Sequence, residues 1–113
     1  MIRKRGQKRM NGNELISFQI ISAVGTARSL YVEAIQEAKK GNIEAANQLM
    51  AEGAKVFVEG HHAHASLIQK EAAGEKSEFS LLLMHAEDQL MTTETLKIVA
   101  EEFIELYHDK FNN

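Results

Sequence analysis

The 113-residue chain has no cysteine, no proline and no tryptophan, and only seven glycines. Without cysteine there can be no disulfide, iron–sulfur cluster, zinc–thiolate site or cysteine nucleophile, so any thiol chemistry belongs to a partner. Average usage would give about six prolines. Their absence, with so few glycines, argues against a turn-rich all-β fold and for long helices. No run approaches the roughly 20 apolar residues that a bilayer-spanning helix needs. No phosphate-cradling Gly-x-x-x-x-Gly-Lys-Ser/Thr loop, dinucleotide Gly-x-Gly-x-x-Gly turn or Gly-x-Ser-x-Gly elbow occurs, so nucleotide binding and serine hydrolysis lack support. A chain of this kind that moves a phosphoryl group must receive it covalently from another protein.

A composition of 44% hydrophobic and 26% charged residues is that of one ordinary folded domain. Its charge is uneven. Arg3, Lys4, Arg5, Lys8 and Arg9 hold five of the thirteen basic residues, leaving eight against sixteen acidic ones, or −8, over residues 10–113. Residues 1–10 read as a basic, flexible leader and residues 11–113 as the domain. Binding nucleic acid requires a basic patch, which the acidic body lacks. The uncharged stretch Leu15–Ala27 behind the basic leader resembles a secretory signal. However, Asn11, Asn13 and Glu14 separate the two, Ser17, Gln19 and Ser22 interrupt the run, and its periodicity continues past Ala23-Val24-Gly25. A cytoplasmic protein without membrane insertion is expected.

Hydrophobic spacing predicts three helices. The first runs from Glu14 to Lys40, with Asn11 and Glu14 spaced as a capping pair and Ile16, Ile20, Ala23, Ala27, Leu30 and Ala34 along one seam. Gly41 suits a left-handed C-cap and Asn42 the next N-cap. The second runs from Ile43 to Ala73, with Leu49, Gly53, Val56, Gly60, Ala63 and Leu67 on one stripe, and Gly74 ends it. The third runs from Glu78 to Phe111, with Ser77 as cap and Leu81, Met84, Asp88, Met91, Thr95 and Ile98 as its seam. Such short connections predict an all-α, antiparallel up-down-up three-helix bundle. Broad apolar stripes on so small a chain point to self-association.

Asp88 stands where that seam calls for an apolar residue. Burying a carboxylate is costly unless it is protonated, paired or bound to a cation. On a seam facing a symmetry axis, copies of Asp88 would converge and favour a shared proton or a metal; on a rotated helix it is simply solvated. His85, three residues earlier, is the most capable nucleophile of a cysteine-free chain. His61, His62 and His64 cluster on the second helix, where His61 and His64 could offer two nitrogens to a cation, with His85 or Asp88 as a third ligand. Glu59 with His62 and Glu105 with His108 repeat part of a di-iron pattern, but antiparallel packing sets the pairs about 30 Å apart.

The segment His85-Ala86-Glu87-Asp88-Gln89-Leu90-Met91-Thr92-Thr93 resembles the phosphorylation-site region of the lactose/cellobiose-type enzyme IIA of the sugar phosphotransferase system. The resemblance extends to Gly25-Thr26-Ala27-Arg28-Ser29, Lys39-Lys40-Gly41-Asn42, Glu59-Gly60-His61, Leu67-Ile68-Gln69 and Glu105-Leu106-Tyr107, covering about residues 14–107 in order. It implies a homotrimer of three-helix subunits and a phosphohistidine carrier. The residue matching His85 accepts a phosphoryl group from HPr and hands it to a cysteine of enzyme IIB during disaccharide uptake. It also implies that Asp88 meets its symmetry mates at the trimer axis, where a divalent cation, typically Mg2+, binds. The chain departs from the family at Gln89, where histidine is common, and at His64, where glutamine is common. A neutral amide at 89 supplies no positive charge to a phosphate. The reading of a different class is a noncatalytic helical metal-binding or interaction module built on His61, His64, His85 and Asp88.

Overall fold

The computed structural model describes residues 12–76 and 79–112. Three helices make up the fold: α1 (Gly12–Lys39), α2 (Ile43–Ala72) and α3 (Leu81–Phe111). The leader, Asn11, Ser77 and Glu78 lie outside the described residues. The first two helices end as the glycines demand. Gly41 has φ 87° and Gly74 φ 90°, left-handed values that cost glycine nothing. At the first turn Asn42 N–H reaches Glu37 O at 2.9 Å and Gly41 N–H reaches Ala38 O at 3.0 Å. At the second, Glu75 N–H reaches Lys70 O and Gly74 N–H reaches Glu71 O, both at 3.0 Å. Both are Schellman closures, which satisfy the last carbonyls and turn the chain back.

The caps correct two expectations. Asn42 occupies the N-cap position of α2, but its side chain makes no capping bond. The cap of α3 is Ser80, whose hydroxyl accepts from Leu83 N–H at 3.0 Å. The third helix thus starts at Leu81, three residues later than Glu78. Phe79, at 79% exposure, precedes the cap and joins no core.

The core fixes the order of the bundle. At one end Ala34 and Ala38 of α1 pack with Ala46 and Met50 of α2 and with Ala100 and Ile104 of α3; at the other, Ile20 and Val24 pack with Ala86 and Leu90. Early α1 therefore lies beside early α3, with α2 running the opposite way. α1 packs extensively on both partners, whereas α2 and α3 touch far less. This central position explains a further correction: by length and composition alone, α1 is long and apolar enough to cross a bilayer. A helix covered on two flanks carries apolar residues around more of its circumference than a surface helix does.

Small residues let α1 and α2 approach. A Cβ added to Gly53 would sit 2.6 Å from Tyr31 Cε1, and one added to Gly60 would sit 3.0 Å from Val24 Cγ1. Gly53→Ala should lower stability by about 1–2 kcal/mol, the cost of displacing a fully buried ring less the gain in helix propensity; a fall in Tm of several degrees checks this. Tyr31 is itself wholly buried, and its hydroxyl has no hydrogen-bond partner among the described residues. Burial raises its pKa above the ordinary 10.0, and the negative charge of Glu101 adds to the rise. The folded state thus holds the phenol proton more tightly than the unfolded chain. Stability from this group is complete below pH 10.0 and is lost as pH rises through the folded-state value. Tyr31→Phe should equal or exceed the parent at neutral pH, because it removes an unpaired buried hydroxyl, and should flatten the alkaline decline. Equilibrium unfolding at pH 7 and 11 measures both.

Candidate functional site

The seam expected on α3 does not face the core of its own subunit. Ala86, Leu90, Thr93, Ala100 and Ile104 do. At 3.6 residues per turn the opposite face carries Leu81, Met84, Asp88, Met91, Thr95 and Ile98, and all six are exposed. Met91 and Ile98 are 59% and 60% exposed, and Leu81 78%. The 3/4 spacing was correct, but it describes a stripe on the outside of the subunit. Asp88 sits within that apolar stripe.

The turns around His85 touch both other helices. Glu87 lies on the flank toward α2, where its Oε2 is 2.7 Å from His64 Nε2. Gln89 lies on the flank toward α1, where its Oε1 accepts from Arg28 Nη1 at 3.3 Å. His85 is four residues before Gln89 and so shares the α1 flank, and it is exposed. Thr92 Oγ1 donates back to Asp88 O at 2.9 Å, which keeps that hydroxyl on its own helix. The solvent-exposed ring of His85 thus lies on a turn that also carries the outward carboxylate of Asp88 and, on its own flank, an amide held by a guanidinium from another helix.

The histidines of α2 do not join it. His61 and His62 are exposed, and His62 lines a cleft with Glu59, Leu15, Phe18, Ser22 and Thr26 between α1 and α2. His64 is taken by Glu87 on the flank away from His85. Among the described residues no three His, Cys, Asp or Glu side chains come close enough to hold a metal ion. This corrects the metal-module reading: His61, His64, His85 and Asp88 do not come together as a ligand set within the chain. His64 does not reach position 89, whose amide meets Arg28 instead. Sequence spacing missed this contact because the partners are 61 residues apart, and only the α1–α3 register joins them.

The fold is an all-α, three-helix domain with a solvent-facing histidine near the start of its last helix, and comparison with known proteins assigns its family. Residues 15–108 match the family described as "PTS system, Lactose/Cellobiose specific IIA subunit". The lichenan-specific phosphotransferase enzyme IIA component of Bacillus subtilis (strain 168) is 47% identical over 94 residues, covering 83% of this chain and 86% of that protein. The crystal structure of the cellobiose-specific enzyme IIA from Bacillus anthracis superposes with a TM-score of 0.89 at 44% identity, covering 93% of this chain and 96% of that one. An IIA(Chitobiose) solved in solution as a complex with HPr gives 0.76 at 33% identity, covering 89% and 97%. The chain belongs to the lactose/cellobiose family of IIA subunits and is a component of a sugar phosphotransferase system.

Proposed function

We propose that this IIA subunit is a phosphohistidine carrier, with His85 taking a phosphoryl group from HPr and passing it to a cysteine of enzyme IIB during uptake of a β-glucoside or β-galactoside disaccharide. The observation that carries this reading is the exposed ring of His85 on the α1 flank of α3, accessible without unfolding any part of the core. The chitobiose relative's capture with HPr supports the donor. Cytoplasmic location follows from working with that donor.

The chemistry needs little from the chain beyond alignment and exclusion of water. The lone pair of neutral His85's unprotonated ring nitrogen forms a P–N bond. The donor's P–N bond breaks with its electron pair returning to the donor ring, which leaves as neutral imidazole because its other nitrogen keeps its proton. In the second half a cysteine thiolate of enzyme IIB forms the S–P bond, and the pair of the breaking P–N bond returns to His85. The nearly dianionic group on an acidic domain also changes which partner the surface attracts, favouring release of the donor and docking of the acceptor. The sugar meets the membrane component rather than this subunit, so relatives named for lichenan, cellobiose and chitobiose share one kind of site.

The working form in this proposal is a homotrimer with α3 at its axis. Its support is the outward stripe of Leu81, Met84, Met91 and Ile98, a patch a monomer does not ordinarily leave in water. Asp88 from three copies would hold a divalent cation, Mg2+ in the first instance. The donor chemistry is of the right kind: one subunit offers a single carboxylate, three offer oxygen ligands alone, and a hard divalent cation such as Mg2+ takes oxygen ligands and keeps several waters. An ion held there would offset the repulsion of the converging Asp88 carboxylates.

The deciding experiment runs phosphoryl transfer from phosphoenolpyruvate through the general carriers to this chain and maps the modified residue. Acid-labile label on His85 is expected; label elsewhere, or none, overturns the assignment.

A further inference from the structure

The approach of α1 to the His85 turn carries an inference that deepens the proposed function and rests on it. Arg28 is exposed and donates one N–H to the Gln89 amide at 3.3 Å. A guanidinium has five such donors, and among the described residues Arg28 has no carboxylate within ion-pair distance. His85 and Gln89 are one turn apart on the same flank of α3, so the guanidinium tethered to Gln89 is held on the flank that carries the His85 ring. The same turn carries the outward carboxylate of Asp88, while Glu87 on the opposite flank is engaged by His64. Among the described residues, the one permanently charged cation whose contact reaches this segment is Arg28.

We propose that Arg28 of α1 is the phosphate-binding residue of phospho-His85, with Gln89 as the positioning residue that parks its guanidinium beside the ring before the phosphoryl group arrives. No bond to Arg28 forms or breaks. Its free N–H groups turn from water to the phosphoryl oxygens, while transfer between rings proceeds as described above. Guanidinium geometry suits this task, since it can place two parallel N–H bonds on one phosphoryl group. The arrangement answers the question raised by the neutral side chain at position 89: the positive charge comes from α1, and the amide holds it in place.

The test compares the parent with Arg28→Ala and Arg28→Lys, each as the full chain. It reads the fraction phosphorylated at equilibrium with phospho-HPr and the pH midpoint of the phosphohistidine 31P resonance. Arg28→Ala should keep its helix content, because the side chain is exposed, and still label on His85. Its equilibrium constant for accepting phosphate should fall between about tenfold and a hundredfold. The 31P midpoint should rise, since removing a nearby cation disfavours the more highly charged phosphoryl form. Arg28→Lys should restore part of both, as a point charge without the fork. A merely structural Arg28 would leave the 31P midpoint unmoved. If the parent labels on His85 and Arg28→Ala matches it in both readings, this assignment fails and the carrier reading stands. If the parent takes no label on His85, both fall.

Discussion

His85→Ala is expected to abolish labelling from phosphorylated HPr, by at least about a thousandfold in initial rate, while helix content and Tm stay at the parent level. The size of the effect follows from the inventory of nucleophiles. With no cysteine in the chain, the remaining candidates are imidazoles, and each is placed elsewhere. His61 and His62 are exposed on α2, His64 is 2.7 Å from Glu87 on the opposite flank, and His108 lies 23 residues beyond His85 on α3, where Asn112 reaches its Nε2 at 2.8 Å. None can present its nitrogen where a partner docked over His85 places phosphorus. The absence of a stability cost is equally definite. His85 is exposed, so truncation opens no cavity, and alanine has the best helix propensity of any residue. Docking surfaces remain, so the variant should still bind phospho-HPr and compete with the parent for it. Continued acid-labile labelling of this variant at the parent rate would refute the central assignment.

How much of this could be read beforehand depended on whether the signal was local. The turns at Gly41 and Gly74 were legible because a left-handed residue after a helix is nearly a glycine property, and both have the expected positive φ. The α1 seam was legible because Ile20, Ala23, Ala27 and Ala34 are apolar at helical spacing and are buried in the subunit. On α3 the same rule found a real stripe but left open which way it faces, and it lies away from the core. Three of the five inward positions, Ala86, Thr93 and Ala100, are small or polar and so weaken the apolar signal of that face. The larger Met84, Met91 and Ile98 project away. Hydrophobicity measures the wish to leave water, and it does not say whether the shelter is the same chain or another copy. The starting cap of α3 was missed because Ser77 and Ser80 both suit the role and the choice depends on where backbone bonding begins. Arg28 beside Gln89 and His64 beside Glu87 were beyond reach for a different reason. Each joins helices through the register of the bundle, which no window along the chain contains.

On the proposed trimer, Asp88→Leu should make the assembly tighter and indifferent to chelator, whereas the parent assembly should loosen when divalent cations are removed. Apart from Thr95, the stripe containing Asp88 is apolar, with Met84 and Met91 one turn to either side and Leu81 and Ile98 beyond them. Three copies brought to an axis bury that stripe and with it three carboxylates. Two like charges 4 Å apart repel by about 4 kcal/mol at the effective dielectric of a protein surface, so three unrelieved charges oppose what the apolar contacts favour. A cation reverses the balance; leucine removes the problem by replacing charge with area of the same kind as its neighbours. Sedimentation equilibrium with and without EDTA separates the cases. The parent should shift its trimer midpoint at least tenfold toward higher concentration in EDTA, an effect of about 1.4 kcal/mol or more, and Asp88→Leu should not shift. Label should still reach His85 in that variant, because a residue acting through assembly leaves the nucleophile intact once the subunits are together. A parent that remains monomeric at every concentration would remove the axis from the picture. A leucine variant that dissociates in EDTA as the parent does would detach Asp88 from it.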